Sequence, residues 1–413
     1  MASDPPEARL FQEAVHAEAT RSRRGHHIVD EKRKRWFYYL PRDEMGVRQR
    51  VSGKTKADVL AKAEELKAKR AQGLDLDTKQ PTIEQFSEVW LRDAVKRTRR
   101  ASTHASYAQI FRLYINPKIG KIRLDKLTAA RVQGWINMLV DAGHSAATVR
   151  NAYLRLRGML DVAVRYRLIN ANPAKEVDLP QLNNDRPRVL TLAEARALLR
   201  AADGKLDLRK PYVTSDGRTK SMPKLSTRYA LLYHVLLALG LRRGEGLGLS
   251  WEDLDWEVGT VQVRRQVQAI NAKVVVSEYT KTDAGQRVLP IAPALLERLR
   301  AHWQNQQEER ALMGAGWNER ALVFPTETGL PVSPSNLLRH FRLLLTCAGL
   351  THLRLHDLRH TCATLLGERV GDRVIAAILG HVPDTVTARY AKVTLTQMRE
   401  ALEGLYQELT DVD

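Results

Sequence analysis

Hydrophobic positions along the chain change their period several times, and the changes mark out its parts. Residues 1–20 are polar, carry no core pattern and read as a disordered tail. Trp36–Leu40 is a run of β-forming residues, Pro41–Gly46 is a turn cluster, and Val47–Val51 alternates apolar with charged positions. A third strand around His27–Val29 and a helix over Thr55–Arg70 complete a three-stranded sheet plus helix, a small α+β domain at residues 21–73. Gly73–Gln80 is a polar linker. Four helical patterns follow, at Ile83–Lys96, Ser102–Ile115, Ala129–Leu139 and Ala146–Arg167, with Thr82 and Thr128 placed as N-caps. They predict an all-α bundle over residues 81–175. The stretch from Asn170 to Arg188 holds Pro173, Pro180 and Pro187, lacks periodicity and reads as an interdomain linker.

The last domain, residues 186–413, opens on a capping pattern, Thr191 with Glu194, before a helix to Ala202. Strands are predicted at Thr260–Val267, Val274–Tyr279 and Arg287–Ile291, and helices at Asp357–Leu366 and Thr394–Leu409. Pro383 and Asp384 open a further helix that carries Tyr390. The domain is therefore mainly α with a small antiparallel β-sheet. Residues 204–224, polar and rich in Lys, Pro and Ser, look like an insertion whose role stays open.

Charge narrows the partners. Lys plus Arg number 66 against 47 Asp plus Glu, a net charge of +19, which points to a polyanion. Residues 80–185 carry 17 basic against 9 acidic side chains. Lys96, Arg97, Arg99 and Arg100 form the densest cluster there and suit phosphate contacts. In the small domain, Arg33, Lys34, Arg35, Arg48 and Arg50 crowd the predicted sheet, and basic strands can enter a DNA major groove. Each cluster could instead be an ordinary solvated face. The cysteines, Cys347 and Cys362, sit in helical patterns and read as buried thiols in a reducing cytoplasm. The longest apolar run, Tyr229–Leu241, is too short to span a bilayer, which takes about 20 residues.

Chemistry concentrates in three places. Leu239-Gly240-Leu241-Arg242-Arg243-Gly244-Glu245 follows an apolar helix. Thr280-Lys281-Thr282 sits between two predicted strands. His356-Asp357-Leu358-Arg359 is followed by Leu379-Gly380-His381 and, nine positions after that histidine, by Tyr390. Histidines, arginines and a tyrosine together supply donors for charged phosphate oxygens and a hydroxyl nucleophile. His356 and His360 lie one helical turn apart, as zinc ligands can, but Asp357 stands where a zincin helix needs Glu, so no metal is expected.

These stretches resemble the boxes of the tyrosine recombinase, or phage integrase, family of the lambda-integrase type. The pattern Gly-Leu-Arg-x-x-Glu matches at Gly240–Glu245, His-x-x-Arg at His356–Arg359, and Leu-Gly-His followed by Tyr at Leu379–Tyr390. The family's usual Thr-Gly opening is Leu239-Gly240 here. The resemblance implies a site-specific recombinase that integrates or excises a mobile element through a 3′-phosphotyrosine. It assigns Tyr390 as nucleophile, Arg242 and Arg359 as phosphate ligands, Lys281 as general acid, His356 and His381 as hydrogen-bonding partners, and Glu245 as support. It needs no cofactor.

It implies core-binding DNA contacts for the bundle, arm-type DNA contacts for the N-terminal domain, and a homotetramer on two duplex attachment sites. It leaves room for a DNA-bending protein and a directionality factor, and it places the enzyme in a bacterial cytoplasm, on the nucleoid. The alternatives are a type IB topoisomerase-like relaxing enzyme, or a DNA-binding regulator with an inactive catalytic domain.

Overall fold

The computed structural model describes residues 26–30, 35–40, 50–71, 80–182, 188–205, 212–213, 219–220, 225–278, 286–351, 353–380 and 393–411. The chain divides into two compact units, Met1–Asn183 and Asn184–Asp413.

The first unit begins with β1 (His26–Asp30), β2 (Arg35–Tyr39) and β3 (Arg50–Gly53), antiparallel in the order β1-β2-β3. Helix α1 (Lys56–Ala71) covers the sheet, burying Val59 and Ala63 with Tyr38, Leu40 and Val51. So few core residues bury little apolar area, and cations over the aromatic rings add to it. Arg50 lies 4.7 Å from the Phe37 ring centre and Lys67 5.2 Å from that of Tyr38.

The bundle has its own core around Trp135, Phe111 and Leu156. Its α2 (Ile83–Trp90) starts at a reciprocal cap in which Gln85 N–H donates to Thr82 Oγ1 and Thr82 N–H to Gln85 Oε1. A π-helical turn, Leu91–Val95, carries it on to Lys96–Thr98. Then come α3 (Ala101–Ile110), α4 (Ala129–Asp141) and α5 (Ala146–Arg165). Within the proline-rich stretch after Asn170, the described residues 170–182 are not free chain. Tyr153 donates to the Ala174 carbonyl at 2.9 Å, Arg150 to that of Pro180 at 2.9 Å, and Asp178 N–H to Gln133 Oε1 at 2.8 Å. Its aperiodic backbone finds partners on the bundle because prolines leave carbonyls without helical donors.

In the second unit, α6 (Leu192–Ala202) precedes α7 (Ala230–Ala238), every residue of which is buried. A short α8 (Arg243–Gly248) follows. Strands β4 (Leu254–Asp255), β5 (Thr260–Val263) and a later β8 (Arg287–Pro290) make one antiparallel sheet in the order β8-β5-β4. Strands β6 (Arg265–Ile270) and β7 (Lys273–Glu278) make a separate ribbon. The single strand expected over Thr260–Val267 is thus two strands in two sheets. The break falls where Arg264 and Arg265 both turn onto the nearly buried Asp253, Arg265 Nη1 lying 2.8 Å from its Oδ2. Helices α9 (Pro293–Met313), α10 (Pro334–Cys347), α11 (Asp357–Gly367), α12 (Asp372–Leu379) and α13 (Leu395–Thr410) complete the unit. Within residues 204–224, residues 212–213 pair with 219–220. Cys362 is fully buried and Cys347 partly so, and both are free thiols. Among the described residues no helix is long and apolar enough to cross a membrane.

Candidate active site

Two residues past the end of α7 stands Gly240, whose φ of +58° is the left-handed region that glycine tolerates. A Cβ there would stand 2.6 Å from Leu379 and 3.1 Å from the Cys362 sulfur, so backbone packs directly on α11 and α12. This turn sets Arg242 at the N-cap of α8. Glu245, three residues on, is wholly buried. Its carboxylate accepts the Arg242 backbone N–H at 2.9 Å and Arg242 Nη1 at 2.7 Å. The Arg242 side chain stays 40% exposed, so it is held at one end and open to solution at the other.

A further arginine closes on the same carboxylate. Arg287, on β8, donates Nη2 to Glu245 Oε2 at 2.9 Å and Nε to the Ile378 carbonyl at 2.6 Å. Arg359, on α11, is 3% exposed and donates Nη1 to Gly240 O at 2.8 Å and Nη2 to Leu379 O at 2.5 Å. Two guanidiniums therefore cap successive carbonyls at the end of α12, where the helix leaves them unpaired. Burial opposes ionisation of Glu245, but the Arg287 charge and hydrogen bonds from Arg287 and Arg242 outweigh it and hold its pKa low. Burial, then the nearby Arg242 charge, pushes Arg359 down to about 10. Crowded cations of this kind favour an anion among them.

His356 is exposed at the start of α11, its ring edge-to-face with His360 at 5.1 Å. Partial desolvation of this otherwise exposed ring lowers its pKa, and the charges of His360, Arg359 and Arg242 lower it further, so the imidazole is largely neutral near pH 7. Asp357, next to it, is taken up by Arg354 through backbone and guanidinium at 2.9 Å each. It offers the histidines no metal-binding partner, and among the described residues no group of three His, Cys, Asp or Glu is placed to hold a metal.

Of the residues named from sequence, the fold brings together Arg242, Glu245, His356 and Arg359. Lys281, His381 and Tyr390 lie outside the described residues, as do Arg33, Lys34 and Arg48. Arg35 and Arg50 are exposed on the small sheet, and Lys96, Arg97, Arg99 and Arg100 are exposed in the bundle. Arg287 is the residue that sequence reasoning passed over. Its one signal was an arginine opening an otherwise apolar strand.

Two family models match the chain. The phage integrase family matches residues 213–396, and the phage integrase N-terminal SAM-like domain matches residues 82–140. The chain belongs to the phage integrase family. Among relatives of this integrase, a XerC-like tyrosine recombinase of Caldanaerobacter subterraneus is 29% identical, covering 89% of this chain and 94% of the relative. An integrase of Streptomyces ambofaciens is 27% identical, over 87% of this chain and 89% of its own. Solved structures share the fold. A Tn1549 transposon integrase in complex with a circular intermediate DNA superposes with a TM-score of 0.60 at 20% identity, covering 79% of this chain and 99% of that one. A lambda integrase tetramer bound to a Holliday junction gives 0.52 at 15% identity, over 89% and 98%. This integrase shares with them a mostly helical body carrying small antiparallel sheets.

Proposed function

We infer that this integrase is a site-specific tyrosine recombinase that moves a mobile element by cutting and rejoining DNA. The observation that carries the reading is the buried Glu245, which fixes Arg242 beside Arg359 and His356 with one guanidinium face open to solution. In the mechanism proposed, the Tyr390 hydroxyl oxygen attacks a backbone phosphorus. The bond from phosphorus to the 5′ oxygen breaks, leaving a 3′-phosphotyrosine and a 5′-hydroxyl. Arg242 and Arg359 neutralise the charge that builds on the non-bridging oxygens, where fixed donors act most strongly. Neutral His356 can take part in moving the phenolic proton. Lys281 delivers a proton to the leaving oxygen, and His381 donates to the phosphoryl group. A 5′-hydroxyl from a second duplex then reverses the attack. The number of phosphodiester bonds is unchanged, so neither ATP nor a metal is required.

The same reading assigns residues 21–73 to arm-type DNA sites, 81–175 to the core site and 186–413 to catalysis. It places four protomers on two duplexes, as in the lambda integrase tetramer bound to a Holliday junction. DNA-bending and directionality proteins are its candidate accessories, and the nucleoid of a bacterial cytoplasm its location. The test is a nicked suicide substrate made from the element's own attachment site. Wild type should yield a covalent protein–DNA band on a denaturing gel. Tyr390→Phe should bind the duplex normally and yield none; a band surviving in the variant would overturn the assignment.

A further inference from the structure

Away from the catalytic unit, the bundle holds a cavity of about 340 Å³ walled by α2, α3 and α5. Three arginines line it: Arg99 from the turn after α2, and Arg155 and Arg165 from α5. None of the described residues lining it is acidic. The one acid on α5, Asp161, is engaged elsewhere, accepting from Asn172 at 2.8 Å and pairing with Lys175 at 3.6 Å. Inside the cavity Trp90 and Tyr107 stack at 5.9 Å, and the Arg155 guanidinium lies 4.3 Å from the Tyr107 ring centre. A guanidinium held over a ring keeps its in-plane N–H groups free to donate. One of them, Arg155 Nε, is buried and has no hydrogen-bond partner. A buried donor without a partner is destabilising, so an acceptor is wanted there.

Gly158 adds an independent sign. It sits in the middle of α5, lines the cavity, and a Cβ on it would meet nothing within 4 Å. Glycine in mid-helix is less favourable than alanine, and no neighbour here demands one. Its visible effect is to keep the cavity open between Arg155 and Arg165.

We propose that this cavity is an anion site that seats one phosphodiester of the DNA backbone. The proposal rests on the recombinase reading above. The duplex would present a non-bridging oxygen to Arg155 Nε, with Arg99 and Arg165 closing on the same phosphate. Such a contact positions the bundle on DNA without reading sequence.

The test uses the full-length chain and a duplex attachment-site fragment. Gly158→Leu plugs the cavity while raising helix propensity, so its melting temperature should not fall below wild type. Its DNA affinity should drop about tenfold, and the slope of log K against log salt should flatten by about one for each phosphate no longer neutralised. Arg155→Met should do the same with its fold intact by circular dichroism. Duplexes carrying a single methylphosphonate linkage, moved along the backbone, should weaken wild-type binding at one position where Gly158→Leu is indifferent. If both variants stay folded with wild-type affinity and slope, the cavity is not a phosphate seat, while Tyr390-dependent covalent complex would leave the recombinase reading standing. If wild type neither binds the fragment nor forms that complex, both readings fall together.

Discussion

A carboxylate without access to solvent keeps its charge only if cations reach it, and among the described residues Arg242 and Arg287 both reach Glu245. Arg242 and Arg287 differ in what else they do. The first is 40% exposed and open to solution, whereas the second is 7% exposed and ties Glu245 to the end of α12. Arg287 is therefore a positioning residue. Arg287→Met should slow formation of the covalent complex about 10²-fold, the scale set by a 1 Å displacement of catalytic groups. It should leave DNA affinity within about twofold, since Arg287 faces no solvent, and cost roughly 3 kcal/mol of stability for the broken buried pair. Arg287→Lys should restore part of the rate, because it keeps the charge beside Glu245 while giving up the second hydrogen bond. Equal rates for the methionine variant and wild type in single turnover would remove the role. Positions within one motif, such as Arg242 with Glu245 or His356 with Arg359, could be read from the local sequence because they lie three positions apart. Arg287 could not, because its partners Glu245 and Ile378 stand 42 and 91 residues away.

Among elements, α13 shows how a terminal helix is fastened. Its apolar face, with Met398, Leu402, Leu405 and Leu409, was legible from helical spacing. The polar anchor beneath it was not. Tyr406 OH lies 3.3 Å from His234 Nδ1, His234 Nε2 lies 3.2 Å from Asp203, and Arg298 reaches Asp203 at 2.7 Å. Arg298 Nη1 also comes within 2.9 Å of Nε2 and 3.2 Å of Nδ1, so the ring is held between the arginine, Asp203 and Tyr406. Burial pushes the His234 pKa below its ordinary 6.5, and the charges of Arg298 and Lys205 act the same way against Asp203.

The folded histidine thus resists a proton that the unfolded one takes up. Stability from this group is complete above about pH 6.5 and is lost as pH falls below it. Asp203, held at about 2 against burial by His234 and Arg298, adds a second loss between about pH 4 and 2. Melting temperature should fall from pH 7 to 5, and the fall should shrink in His234→Gln; identical pH profiles would dismiss the anchor. The strands were harder to read than the helices. Alternation over Thr260–Val267 is unbroken in sequence, and only Asp253, drawing in two adjacent arginines, divides it.

The whole molecule spreads its +19 charge over both units, which suits an enzyme that must grip DNA at several places. A fragment of residues 81–413 should still bind and cleave core-site DNA while failing to protect sites outside the core. Its binding to long DNA should show the shallower salt dependence. Footprints of equal extent and slope for fragment and full chain would make the basic small sheet an ordinary solvated face.

The Arg359 side chain has a consequence for when this enzyme becomes dangerous to DNA. It bonds a carbonyl 119 residues earlier in the chain and another 20 residues later. During synthesis the Arg242 turn leaves the ribosome long before either Arg359 or Leu379 exists, and neither segment can hold the site's geometry alone. A nascent or truncated chain would carry its basic surfaces without an assembled Arg242–Arg359 pair. On the proposed roles of Arg242 and Arg359, completed folding would be the condition for cutting.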